Sequence, residues 1–112
     1  MPAPNPAVYY HVSGNAPAAA TTEIVPASGV NTKVVVHSYA EQCGAVDTDS
    51  TWKSGATPIS GLHANLAKVG RVCGWNPQAW FETAENEALN LTNGAGSAVG
   101  YEVVYSVQQK DA

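Results

Sequence analysis

Turn-forming residues break this chain about every 10–15 positions, and nothing between the breaks is long enough to sustain a helix of ordinary length. Pro26 with Ser28-Gly29, then Gly55, then Asn76-Pro77, then Glu85-Asn86, then Asn93-Gly94-Ala95-Gly96 mark the breaks. Pieces this short bury apolar surface by pairing edge to edge as strands, and paired strands then need a second layer to cover them.

The pieces themselves agree. Val34-Val35-Val36 stands inside 31–40; three β-branched residues in a row suit a pleated sheet and crowd a helix. Because both alternating faces carry Val, this strand is predicted to be central and covered on both sides. Leu89 and Leu91 share one face of 88–92, with Asn90 and Thr92 on the other. Over 100–108, Tyr101, Val103, Tyr105 and Val107 fall on one side and Glu102, Val104, Ser106 and Gln108 on the other. Further strands are predicted over 21–26, 46–52, 71–75 and 79–83, roughly seven or eight in all. Residues 59–69 read either way, since Leu62, Leu66 and Val69 stand at helical spacing and allow one turn of helix. The predicted class is all-β: an antiparallel β-sandwich or jelly roll over 21–112, preceded by an extended N-terminal arm.

That arm is residues 1–20. Pro2, Pro4, Pro6 and Pro17 remove backbone donors and fix φ, which excludes a helix. Its one apolar island holds Val8, Tyr9 and Tyr10. These are the expected anchors of the arm on a neighbouring subunit, because aromatic side chains on a solvated tail would otherwise leave much apolar area uncovered.

The last third carries two of the three Trp, the only Phe and two of the five Tyr. In a chain poor in Leu, Met and Phe, the core is expected to assemble around Trp75, Trp80, Phe81, Tyr101 and Tyr105, with the Trp52 ring also turned inward. Charged residues make up only 12% of the 112, about half the usual share. A surface of small, uncharged side chains suits close packing against a neighbour.

The same composition argues against several functions. Net charge is −4, and Lys33, Lys53, Lys68, Arg71 and Lys110 are scattered, so no positive stripe exists to displace counterions from phosphate; nucleic acid is not an expected partner. No apolar run approaches the roughly 20 residues a membrane span needs, and the N-terminus lacks the pattern of a secretory signal. Cys43 and Cys73 match no CxxC pattern and are expected as two buried thiols, with a disulfide between them as the alternative. His11, His37 and His63 lie far from any Cys or carboxylate at ligand spacing; His37, on the Val strand, is expected as a hydrogen-bonded interior or interface residue. Asp47 and Asp49 lack the Gly and Glu of a calcium loop. Glu82, Glu85 and Glu87 surround a turn, where acids are ordinary surface residues rather than a glycosidase pair. No GxSxG elbow or phosphate loop is present. The expectation is a protein that is not an enzyme and holds no metal or cofactor.

One resemblance adds to this. Thr51-Trp52-Lys53-Ser54-Gly55, Ile59-Ser60-Gly61, Asn76-Pro77 with Trp80-Phe81-Glu82-Thr83-Ala84, Glu87-Ala88-Leu89-Asn90-Leu91, and Gly100-Tyr101 with Val104-Tyr105 occur in that order. Over roughly residues 30–107 this resembles a family of small tailed-bacteriophage virion proteins. Where that family usually has Gly before its Glu-Ala-Leu triplet, Asn86 stands here, a residue that still tolerates positive φ. The resemblance implies a jelly roll similar to the tumour-necrosis-factor type, assembling as a homotrimer through the aromatic strands. It also implies a capsid decoration or cement protein bound to the major capsid protein on the virion surface. The alternative it leaves open is a head or tail spike that recognises host carbohydrate through Trp52, Trp75 or Trp80.

Overall fold

The computed structural model describes residues 8–109, which are all-β. Ten strands form two antiparallel sheets packed face to face. The first sheet orders β1 (Tyr10–Ala16), β10 (Val99–Gln109), β3 (Thr32–Cys43) and β7 (Gly70–Cys73), with β8 (Phe81–Glu82) also on β3. The second orders β2 (Ala20–Val25), β9 (Leu89–Asn93), β4 (Thr48–Ser54) and β5 (Thr57–Pro58), with β6 (His63–Asn65) also on β4. The chain passes from sheet to sheet between β1 and β2, β2 and β3, and β3 and β4, then returns by β7, β9 and β10. That is the winding of a jelly roll.

Between the sheets the alternation read from sequence holds for Leu89, Leu91 and Val103, but toward the end of β10 it fails, with Ser106 buried beside His37 and Val107 exposed. Trp52, Leu89 and Leu91 are fully buried, and Val34, Val36, Val103, Ile24 and Val25 complete the core. Val35 and His37, on the opposite face of β3, are also buried, so that strand is covered on both sides. The covering is made possible by a bulge. The register between β10 and β3 shifts between Val104 and Tyr105, where Val104 pairs Ser38 and Tyr105 pairs Val36, leaving His37 without an opposite number. The extra residue lets Val34 and Val36 before it and Tyr39 after it all face the core, although strict alternation forbids this.

Four expectations are corrected. The segment assigned to a free arm becomes, from Tyr10 on, the edge strand β1, paired to β10 from Tyr10↔Tyr105 to Ala16↔Val99. The prolines misled because they flank this strand rather than interrupt it: Pro17 closes β1, and Pro2, Pro4 and Pro6 lie outside the described residues. Residues 59–69 hold the short strand β6 and no helical turn, and Leu62, Leu66 and Val69 are exposed. The strand predicted over 79–83 shrinks to Phe81–Glu82, because Ala79 sits at φ 74 and cannot extend. Trp75 and Trp80 are not core residues, being 52% and 47% exposed.

Asn86 adopts φ 52, and its N–H donates to the Thr32 carbonyl at 2.8 Å. A β-branched side chain is strained in that conformation. Asn86→Val is therefore expected to lower stability by about 1–2 kcal/mol in urea unfolding, while Asn86→Gly stays within about 0.5 kcal/mol.

Candidate interaction surface

The interior at one end of the sandwich is polar. Glu41, from the inward face of β3, is fully buried at its side chain. Its Oε2 accepts from Trp52 Nε1 at 3.0 Å and from His63 Nδ1 at 2.7 Å. Oε1 accepts from Asn65 Nδ2 at 3.3 Å. Asn65 Nδ2 also donates to Ser50 Oγ, Ser50 to Asn93 Oδ1, and Asn93 Nδ2 to the Ala16 and Pro17 carbonyls. Arg71 donates to Asn65 Oδ1 at 3.3 Å through Nη2. Among the described residues no buried side-chain N or O atom lacks a partner. Both Glu41 oxygens are engaged and shielded, so this network pins the two sheets together and offers no reactive group to a substrate.

Tyr39 stands next to it. Its ring packs on Trp52 and Phe81 at centroid distances of 5.8 and 5.2 Å, and lies parallel to His63 at 6.1 Å. Burial first, and then a hydrogen bond with the Cys73 thiol, push its phenol well above the ordinary tyrosine range. Cys43 is buried as expected and donates to the Val46 carbonyl, whereas Cys73 is only half-buried; both cysteines are free.

The expected core aromatics divide into two groups. Phe81, Tyr101 and Tyr105 are half-buried and pack against the core. Trp75 and Trp80 remain outside. Trp75 lies on the outer face of the first sheet, stacked on His37 at 4.9 Å and 25°. Tyr9 meets both rings edge-on, at 5.3 Å from His37 and 4.9 Å from Trp75. Beneath them His37 is buried as expected, with the Asn76 carbonyl accepting from Nδ1 and Nε2 lying 2.8 Å from Ser106 Oγ. Trp80 is anchored by Nε1, which donates to the Gly74 carbonyl at 2.7 Å. Of the arm residues, Tyr10 stacks on Tyr105 at 5.4 Å, and Val8, Tyr9 and Tyr10 are all exposed.

The outer faces of the two sheets differ. On the second sheet, Thr21, Thr92 and Thr51 form one cross-strand row and Glu23, Asn90 and Lys53 the next, an ordinary solvated face. On the first sheet, pairing places Asn15, Gly100, Gln42 and Gly70 in one row across four strands. The next row is Ser13, Glu102, Ala40 and Val72, and the one after it is His11, Val104 and Ser38. Beyond those comes the Tyr9, His37 and Trp75 cluster. Small residues along the floor leave a depression of about 660 Å³ over the first two rows and one of about 280 Å³ running on to Trp75. Ala40, Val72 and Glu102 line both, so the two form one trough.

The other sequence candidates do not converge. Glu82 pairs with Lys33 at 2.9 Å, Glu87 accepts from Ser54, and Glu85 accepts from the Asn31 N–H. Among the described residues no three His, Cys, Asp or Glu side chains gather as a metal site would require. No described helix is long and apolar enough to cross a membrane. Sequence reasoning missed the Glu41–His63 pair because 22 residues separate its members, and it missed the trough because each row draws on four strands.

Two outcomes follow from the interior. Trp52→Phe removes the indole donor from the Glu41 carboxylate together with part of the packed ring, and is expected to cost about 3 kcal/mol in urea unfolding. The folded chain holds the Tyr39 proton more tightly than the unfolded chain does. The contribution of Tyr39 to stability is therefore constant below about pH 10 and is lost as pH rises past the unfolded tyrosine value toward the folded one. Tyr39→Phe is expected to make that alkaline fall shallower, as read from urea titrations at about pH 9 and about pH 11.

No family model matches the chain, and no curated protein matches it in sequence. One solved structure is similar: that of Bacillus endospore appendages, described as forming a family of disulfide-linked pili. Its TM-score is 0.55 at 12% identity, covering 93% of this chain and 88% of that chain. At this identity the likeness is one of fold, and it shows the β-sandwich that the strands themselves describe.

Proposed function

We propose that this chain is a structural protein of a bacteriophage particle, a homotrimeric decoration protein that binds the major capsid protein on the outside of the head and works by adhesion rather than catalysis. The observation that carries the reading is the exposure of large aromatic side chains. Tyr9, Tyr10, Trp75 and Trp80 are each about half exposed, at 47%, 47%, 52% and 47%. A second apolar group, Val46, Leu66 and Val69, is exposed at the tip where β3 ends. Aromatic anchors of this kind dominate protein interfaces, and each of these rings leaves about half of its surface uncovered by its own chain. The sequence resemblance over residues 30–107 supports the virion assignment. The fold similarity to a protein of pili is in keeping with a structural role. A disulfide link between copies is not part of this reading, since Cys43 is buried and the Cys73 thiol is engaged by Tyr39.

Decoration acts by mass action. Each bound copy stabilises the expanded shell over the bare one, and three linked contacts per trimer multiply a modest affinity. A second reading is favoured by Trp75 and Trp80 standing half exposed beside Asn76: a spike or receptor-binding module for host carbohydrate.

The test is binding to purified heads that lack the protein, read by co-sedimentation and electron microscopy, with native mass spectrometry of the free protein. A trimer that decorates heads is the expected result. Tyr10→Ala is expected to weaken head binding about tenfold or more while the melting temperature changes little. A monomer that leaves heads bare would overturn the proposal.

A further inference from the structure

We propose that the trough on the outer face of the first sheet binds a linear neutral oligosaccharide, with Trp75 as the stacking platform at one end and the Asn15 and Gln42 amides as the hydroxyl-recognising groups at the other. The inference rests on the second reading above and gives it a place on the molecule.

The floor supplies the first argument. Gly100 and Gly70 alternate with Asn15 and Gln42 along one cross-strand row. A methyl group built on Gly100 would lie 3.3 Å from Asn15 Oδ1, and one on Gly70 would clash with both Gln42 Oε1 and the Glu41 carbonyl. Glycine at both positions lets the two amides lie low over the sheet instead of being pushed off it. Gly70 is also required by the neighbouring Glu41 carbonyl, whereas Gly100 meets no backbone so closely, and a glycine inside a strand commonly marks a close approach.

The second argument is hydrogen-bonding capacity. Among the described residues Ser13, Asn15, Ser38 and Gln42 show no side-chain hydrogen bond, whereas the buried polar side chains between the sheets are fully paired. Amide and hydroxyl groups that both donate and accept suit vicinal sugar hydroxyls. The third is the aromatic end. One face of Trp75 rests on His37, so its exposure belongs to the other face and the edges. An apolar platform beside a few convergent polar groups is the composition of a small-molecule site.

Charge and length narrow the ligand. Glu102 is the carboxylate that rises from the middle of the trough, 3.5 Å from His11 Nε2. Arg71 lines the trough, but its guanidinium turns away to Asn65. Acidic sugars and phosphates are disfavoured there. Same-face rows repeat about every 6.6 Å along a strand, so the three rows and the Trp75 end extend over roughly 15–20 Å, room for a short oligosaccharide rather than a single sugar.

The experiment is isothermal titration of the intact protein with short linear oligomers of glucose, mannose, galactose and N-acetylglucosamine, chosen from an array of neutral glycans. At least one is expected to bind. Trp75→Ala should weaken it about tenfold. Gly100→Val fills the row between the two amides with a strand-compatible side chain and should abolish binding, with melting temperature and oligomeric state unchanged. Absence of binding by every glycan overturns both this inference and the carbohydrate reading. Glycan binding that Trp75→Ala and Gly100→Val leave intact overturns the trough alone. Loss of oligomers in Gly100→Val means the trough is covered by a second copy of the chain, and also overturns the inference.

Discussion

A buried carboxylate holds this sandwich in register. Glu41 is removed from water at its whole side chain, and its two oxygens take donors from β4 and β6. Removing a charge from water is costly unless every lone pair finds a donor. The surrounding chain answers that demand residue by residue. Trp52 must point its indole N–H inward, β6 must reach back to present His63 and Asn65, and Ser50 and Asn93 must line up beneath them. A one-residue slip of any of these strands would turn a donor to the outside and leave the carboxylate unpaired. The hydrophobic residues provide most of the favourable burial, while Glu41 decides among the ways they might be arranged.

How much of this was legible in the sequence follows from the range of each signal. The alternation over 101–103, the Leu89 and Leu91 face and the double covering of the Val strand are local patterns, and they match the burial observed, whereas farther along β10 Ser106 is buried and Val107 exposed. Asn86 was legible too, because a turn needs a residue that accepts positive φ. The bulge at His37 was not, since it is a relation between two strands and has no spelling in either. The strand β1 was hidden by neighbouring prolines, which dominate composition without interrupting the pairing. The division of the aromatics was also hidden. Composition says that Trp must matter; it cannot say that Trp52 lies under both sheets while Trp75 and Trp80 remain outside.

The two outer faces give the molecule a direction. One carries threonines, Asn90, Glu23 and Lys53 in a pattern suited to water. The other carries glycine, alanine, unpaired amides and an aromatic cluster. Core demands do not explain the difference, because these residues lie on the outer faces of the two sheets. Adhesion to something outside the chain accounts for it. The proposed capsid contact and the proposed glycan trough meet at Trp75, which belongs to the aromatic rim and closes one end of the trough, while the glycine-floored rows belong to the trough alone.

The three tryptophans sit in three distinct surroundings: sealed between sheets, laid on an imidazole, and tethered by a carbonyl at the rim. Their fluorescence is therefore already sorted by colour. Trp52 emits from a dry, rigid site, and Trp75 and Trp80 emit from wet ones. A single spectrum thus separates loss of the interior from capture of a ligand or a neighbour, and the protein carries its own optical probe without a label.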